Sequence, residues 1–248
     1  MVTNKNVNDS DREEFERLKQ RLTSTYSRNR AWFICKVLIR KWLTQSWRGS
    51  YHFVKRLIDF VVSFVLLAIL FLPGLALFFL IRRDGGPAFY SQDRIGLHGK
   101  PFRFWKFRSM IPNADRLKQE LINQNEMKGG VLFKMKSDPR ITPIGRFIRK
   151  FSIDELPQLW NVLRGDMSLV GPRPPLPDEV KLYTTEERHR LDSKQGITGL
   201  WQVSGRSDIP FEKQLLLDLD YIYNESIWND IKLLIKTIPA VFTGRGAS

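Results

Sequence analysis

The sequence predicts a membrane-associated α+β protein. It has a re-entrant, or else kinked transmembrane, helix near the N-terminus, then a mainly helical cytosolic domain with a small β-hairpin and interfacial amphipathic helices. Three observations predict this. Residues Phe60 to Ile81, "FVVSFVLLAILFLPGLALFFLI", are 22 residues without a charge, and a straight helix of that length covers roughly 33 Å, close to the hydrocarbon thickness of a bilayer. Residues 88–110, "AFYSQDRIG-LHGK-PFRFWKFRSM", read as two short strands around a glycine-containing loop. Much of the remainder repeats apolar residues at helical spacing between Gly and Pro stops.

A chain of 248 residues can bury one sizeable core without staples. Forty Lys and Arg against 26 Asp and Glu give a net charge of +14. That field attracts nucleic acid, an anionic membrane surface or a phosphorylated substrate, and by itself does not choose among them. The single cysteine, Cys35, excludes an internal disulfide and a multi-cysteine zinc site, so the chemistry is expected to face the cytoplasm.

Residues 1–50 form a basic polar leader. Its start lacks an apolar stretch, so no signal peptide is expected, and a short helix is predicted at 10–22. The stretch "AWFICKVLIRKWLTQSW" blends Trp32, Phe33, Trp42 and Trp47 with Lys36, Arg40 and Lys41, which suits either a helix in the headgroup layer or one packed on the globular domain.

Residues 51–83 hold the membrane element. Lys55 and Arg56 precede the apolar run and Arg82 and Arg83 follow it, so the positive-inside bias draws both ends to the cytosol. Pro73 removes a backbone donor and clashes with the preceding turn, and Gly74 beside it tolerates a sharp bend. A helix that enters, breaks at Pro73 and returns satisfies both flanks; a kinked single pass is the alternative. Asp59 follows Lys55 by four residues, so the two can pair on one helix face at the water boundary.

Residues 84–248 make the cytosolic domain. After the hairpin, residues 112–126 read as a helix, 128–145 as an extended segment and turn, and 144–150 as a helix. The hairpin's Gly99–Lys100 is not a phosphate loop, because Pro101 stands where Ser or Thr is required. In "SIDELPQLWNVLRGDMSLV", Ile153, Leu156, Leu159, Trp160 and Leu163 recur at helical spacing before a stop at Gly165. The prolines of "GPRPPLP" dictate an irregular loop. Helices follow at "TTEERHRL" and 210–224, and "IWNDIKLLIKTIPAVF" reads as a second surface-lying helix.

The adjacent acids Asp154 and Glu155 stand out in so basic a chain. Ser152 and Glu155 have the spacing of a capping box, and Asp154 in a first turn suits the helix dipole. The same residues suit phosphoryl chemistry: a carboxylate can attack phosphorus, and its neighbour can hold Mg²⁺. Arg149 lies five residues upstream, and Arg173 sits in a proline-stiffened loop. Lys106 and Arg108, two positions apart in a strand, are expected on one face. Singly these are ordinary surface cations; together with the acids and a membrane element they suggest a site where a nucleotide sugar diphosphate meets a lipid phosphate. A nucleic-acid-binding protein is disfavoured by the lack of any recognisable motif, and for a membrane-anchored scaffold without chemistry the capping box would suffice.

The stretches "QDRIG…KPFRFWKFRSM", "FKMKSDPRITPIGRFIRKFSIDELPQLWNVLRGDMSLVGPRP" and "GITGLWQVSGRSD" closely resemble the bacterial sugar transferases, the monotopic phosphoglycosyl transferases that start surface polysaccharide synthesis. The resemblance runs from about Lys55 to the C-terminus. It implies transfer of a sugar 1-phosphate, leaning to a hexose, from a UDP-sugar to undecaprenyl phosphate with release of UMP, on the cytosolic face of the bacterial inner membrane. It implies Asp154 as a nucleophile that carries the phosphosugar and Glu155 as a Mg²⁺ ligand. Arg149 is implied at the lipid phosphate and Arg173 at the nucleotide-sugar phosphates, while Arg94, Lys106 and Asp230 fall on charged positions that matter in the family. The implied partners are the UDP-sugar, undecaprenyl phosphate and membrane lipid, with no nucleic acid; a homodimer stays open. Two departures are Leu72 before Pro73, where small members carry serine, and a basic leader in place of the multi-span N-terminal region of large members.

Overall fold

The computed structural model describes residues 30–112, 114, 116, 117, 138–205 and 209–243, together with Arg17. The helix expected at 10–22 apart from Arg17, most of that at 112–126 and the start of the extended segment at 128–145 lie outside these residues. The chain divides into two compact units, Met1–Phe53 and Val54–Ser248. In the first, the described backbone is helical from Arg30 onward.

Helix α1 (Arg30–Ile69) continues into the second unit, where it is followed by α2 (Phe71–Arg82). Among the described residues no single helix is long and apolar enough to cross a membrane, but Gly49–Ile69 and Phe71–Arg82 meet that test as a pair bent by 61°. The break falls at Leu70, not at the expected Pro73. A proline ring clashes with the carbonyl four residues before it, which here is that of Ile69, the last residue of α1. Pro73 itself sits in the first turn of α2, where its missing N–H is little needed. Around the bend Phe64, Ile69, Phe71 and Leu72 are 59–72% exposed.

Both ends of the bent pair are tied to the same body. Lys55 and Asp59 line one small cavity, as their expected common helix face requires, and each also reaches across the fold: Lys55 Nζ meets Asp230 at 2.5 Å, and Asp59 accepts the Leu169 amide at 2.9 Å. Arg56 donates to the carbonyls of Val162 and Leu163 at 2.5 and 2.7 Å. At the far end Arg108 donates to the Ile81 carbonyl at 3.1 Å and pairs with Asp84.

Strands β1 (Phe89–Ile95) and β2 (Pro101–Phe107) form the expected antiparallel hairpin, with Tyr90 opposite Lys106 and Arg94 opposite Phe102. Helix α3 (Pro143–Lys150) starts where Thr142 Oγ1 accepts the Gly145 amide at 2.9 Å, with Pro143 in the first turn. Gly145 packs so closely that a Cβ there would lie 1.9 Å from the Ser109 carbonyl oxygen. Gly145→Ala is therefore expected to cost about 1–3 kcal/mol, read as a lowered thermal midpoint; an unchanged midpoint would show that this backbone yields freely.

After α3 the chain makes a single 3₁₀ turn at Ile153–Glu155 and then α4 (Gln158–Arg164), which ends at Gly165 with φ 93°. Short parallel strands β3 (Ser168–Val170) and β4 (Gly196–Thr198) flank the small helices α5 (Pro177–Lys181) and α6 (Thr185–Arg188), and α7 (Leu200–Ser204) follows β4. Thr184 and Glu187 form a true capping box at α6. Two longer helices close the chain, α8 (Phe211–Tyr223) and α9 (Ile227–Thr243), and α9 leaves Trp228, Ile235, Ile238 and Phe242 59–73% exposed. The main core joins Phe104 of β2, Leu159 and Val162 of α4, Leu169 of β3, Tyr221 of α8 and Leu233 of α9. Asn161 fastens α4 to the edge of β2, accepting the Trp105 amide at 3.2 Å and donating to the Arg103 carbonyl at 2.7 Å.

Candidate active site

The two faces of the hairpin divide two kinds of chemistry. Strand alternation puts Phe102, Phe104 and Lys106 on one face of β2 and Trp105 and Phe107 on the other. On the first face Lys106 and Arg94 both stand over the Phe104 ring, 5.6 and 5.4 Å from its centroid. Lys106 Nζ then reaches Glu155 Oε1 at 2.7 Å and Asp154 Oδ2 at 3.5 Å. Arg173, from the proline-rich loop after β3, approaches the same Glu155 oxygen at 3.4 Å.

The local backbone explains how the acids reach this point. Ser152 does not form the expected capping box: it lies in the left-handed region (φ 54°, ψ 23°) and its side chain makes no capping bond. Pro157 lacks the N–H that a continuous helix would aim at the Ile153 carbonyl, so the chain completes one tight turn and restarts at Gln158. A serine at positive φ costs of order 1 kcal/mol and is held here by its surroundings. The result is a buried Asp154 with Glu155 beside it, both turned toward Lys106.

The two carboxyls are pushed in opposite directions. Burial raises Asp154, Glu155 adds to the rise, and Lys106 and Arg149 offset it only in part. Burial would raise Glu155 as well, but Lys106 and Arg173 outweigh it and hold that carboxyl at about 2. Glu155 is thus ionised at neutral pH, while Asp154 is the more basic and more nucleophilic of the two. Among the described residues no group of three or more His, Cys, Asp or Glu could hold a metal alone. Both cation contacts of Glu155 end on Oε1, so the carboxylate could also take part in holding a divalent cation of the kind bound by one or two carboxylates together with substrate phosphates.

The structure therefore gathers Asp154, Glu155, Lys106 and Arg173, with Arg149 near enough to act on Asp154. It does not bring Arg108 to them. Strand β2 ends at Phe107, the alternation ends with it, and the Arg108 guanidinium is used on Asp84 and on the carbonyls of Ile81, Pro87 and Met110. Asp230 lies in a separate buried cluster with Lys55 and Tyr221. Arg94 is close to Glu155 and Arg173 but donates to the Pro174 carbonyl at 3.0 Å. Sequence reading passed over Arg190 and Asp218, a buried ion pair behind the Arg173 loop. The signal was Asp218 itself, an acid on the apolar face of α8 three and four residues from the buried Leu215, Gln214 and Tyr221.

The second face of the hairpin opens on an apolar groove of about 550 Å³. One wall is the bend of the helix pair, at Leu70, Phe71 and Gly74, and another is Trp105 and Phe107 of β2. Leu156 and Pro157, the residues directly after Glu155, join them, so the groove begins where the acid pair ends.

Comparison with known proteins identifies the family. Residues 50–244 match the family described as bacterial sugar transferase. The galactosyl transferase CpsE of Streptococcus agalactiae serotype III (strain NEM316) is 49% identical over 202 residues, 81% of this chain and 45% of that protein. The undecaprenyl-phosphate galactose phosphotransferase of Salmonella typhimurium is 47% identical over 81% of this chain and 43% of its own length. The UDP-galactose-lipid carrier transferase of Erwinia amylovora is 45% identical over 81% of this chain and 43% of its own. The chain spans less than half the length of these three relatives. A match over residues 50–244 that includes every residue of the gathered site places this chain in the bacterial sugar transferase family.

Proposed function

We propose that the chain transfers a hexose 1-phosphate from a UDP-sugar to undecaprenyl phosphate and releases UMP, the first membrane step of an exopolysaccharide or another surface polysaccharide. The observation that carries this reading is the buried, oppositely biased acid pair, ringed by Lys106, Arg149 and Arg173 and set at the mouth of an apolar groove. Arg173 and Lys106 hold the donor diphosphate. Asp154 attacks the phosphorus that bears the sugar, breaking its bond to the bridging oxygen, which leaves with UMP. The acceptor phosphate, drawn by Arg149, then attacks the same phosphorus, and the Asp154 carboxylate departs unchanged. Glu155 would hold Mg²⁺, and that cation would neutralise the diphosphate oxygens.

The membrane placement follows the same logic. Both ends of the bent helix pair are fastened to one compact unit, by Arg56 and Asp59 at one end and by Arg108 at the other, which supports a helix that enters and returns over one that crosses. The exposed apolar residues at the bend and along α9 then face lipid, with Lys232 and Lys236 at the headgroups. The body stands on the cytosolic face of the bacterial inner membrane, and the groove receives the isoprenoid chain of the acceptor.

Two displacements at one carboxylate make a specific kinetic demand. With UDP-galactose or UDP-glucose and Mg²⁺ but no acceptor, labelled UMP is expected to exchange into the UDP-sugar, and EDTA is expected to slow exchange and turnover by about a hundredfold or more. Turnover without exchange would replace the covalent route with a single displacement. Failure of every UDP-sugar to yield UMP in the presence of undecaprenyl phosphate would remove the transferase reading for this chain.

A further inference from the structure

The loop that carries Arg173 is fixed almost entirely through its carbonyls. Pro172, Pro174 and Pro175 have no N–H to donate. Their carbonyls, and that of Arg173, are each taken by a different donor: Pro172 by the Gly196 amide at 2.8 Å, Arg173 by Arg190 Nη2 at 3.4 Å, Pro174 by Arg94 Nη1 at 3.0 Å and Pro175 by the Ile95 amide at 3.0 Å.

Arg190 is committed to this task by its other contacts. Its side chain and that of Asp218 are 5% and 1% exposed, and the two are paired through Nη2, the nitrogen that also reaches the loop. Nη1 donates to the Tyr183 hydroxyl at 2.7 Å. Burial lifts Asp218 to about 6 even with Arg190 beside it, and burial likewise lifts the Tyr183 phenol to about 12. A fork of this shape cannot be reproduced by an ammonium on a flexible stem.

We infer that Arg190, locked by Asp218 and Tyr183, is a positioning residue that acts through the Pro172–Pro175 loop to keep the Arg173 guanidinium aimed at Glu155 and at the donor diphosphate. The inference rests on the reading of Arg173 as a donor contact given above. Arg94 braces the adjacent carbonyl in the same way and, being stacked on Phe104, ties the loop to the hairpin that carries Lys106.

The test compares Arg190→Lys, Arg173→Ala and the double variant in detergent-solubilised full chain, with UDP-galactose and UDP-glucose as donors. Arg190→Lys keeps the charge against Asp218 but loses the fork. It is expected to raise KM for the donor about tenfold with kcat within threefold, the signature of lost uniform binding. The double variant is expected to be no worse than Arg173→Ala alone. Amide exchange gives an independent reading: Gly196 and Ile95, whose acceptors are loop carbonyls, should exchange faster in Arg190→Lys, while Leu169, bonded to Asp59, should not. Additive KM effects would mean that Arg190 does not work through Arg173, and equal acceleration at Leu169 would mean that it merely stabilises the body; either overturns the inference. If Arg173→Ala alone leaves KM unchanged, the donor contact falls, and the exchange pattern still decides whether Arg190 holds the loop.

Discussion

Asp154→Asn is expected to abolish transfer, by roughly four orders of magnitude or more, and at the same time to make the folded protein more resistant to heat. The first half follows from the proposed chemistry. An amide oxygen cannot form the aspartyl phosphate, and mass spectrometry of enzyme quenched with its donor should find the phosphosugar on wild-type Asp154 and nowhere on the variant. A variant that still turns over and still carries the adduct would move the nucleophile to another side chain. The second half follows from burial. Asp154 is 7% exposed, and its ion pair with Lys106 at 3.5 Å is much longer than the 2.7 Å contact between Lys106 and Glu155. Removing the Asp154 charge therefore leaves Lys106 with its better partner and relieves a carboxylate of its desolvation.

The sign of the pH effect can be worked out from the same shifts. Asp154 is raised in the folded state, so that state holds its proton more tightly than the unfolded chain does. The stability this group contributes is full below the ordinary carboxylate range and is lost as pH rises through the raised value. The advantage of Asp154→Asn should accordingly be largest near neutrality, on the order of a few degrees in thermal midpoint, and should disappear on acidification. Glu155 runs the other way. Lowered from 4.5 to about 2, it contributes stability above 4.5 that is lost as pH falls toward 2. Turnover needs Asp154 ionised, so its acid limb should lie above the ordinary carboxylate range, and a limb at or below that range would show that the buried carboxyl is not the titrating nucleophile.

What the sequence disclosed and what it withheld separate along one line. Features set by neighbours in the chain were legible: the uncharged run, the hairpin around Gly99, the stop at Gly165 and the acids in a basic background. The helix break was placed three residues late because proline acts on the carbonyl four positions before it, so the consequence of Pro73 appears at Ile69 and Leu70. The capping box at Ser152 failed for a reason that stands in the same stretch, Pro157, whose missing donor outweighs the Ser-x-x-Glu spacing. Lys106 and Arg108 were counted onto one face on the assumption that the strand continued past Phe107. The Arg190–Asp218 brace and the partners of Lys55 bring together residues 28 and 175 positions apart, and no local pattern specifies such pairings; the only trace of them is a charged residue on a face that otherwise reads as core.

The partners of Lys55 support the other large expected effect, a loss of about 3–5 kcal/mol of stability in Asp230→Ala. All three protons of the Lys55 ammonium are placed, on Asp230 at 2.5 Å, on the Val170 carbonyl at 2.9 Å and on the Tyr221 hydroxyl at 3.1 Å. Tyr221 in turn donates to the other Asp230 oxygen at 2.7 Å. The side chains of Lys55 and Asp230 are 10% and 9% exposed, and the space beside them is about 20 Å³, room for one water and too little to hydrate a freed ammonium. Truncating Asp230 thus deprives a buried ammonium of its 2.5 Å ion pair and leaves the Tyr221 hydroxyl only the Val170 carbonyl at 3.2 Å, and a midpoint lower by roughly 10 °C is expected. Replacing both partners distinguishes charge from packing: Lys55→Met with Asp230→Leu removes the pair without leaving an ion behind, and should recover most of the loss. If the single variant melts within 2 °C of the wild type by the usual few degrees per kcal/mol, the cluster is not what fastens α1 to α9, and the anchoring must come from Arg56, Asp59 and the packing of Val62 and Leu66 on the core.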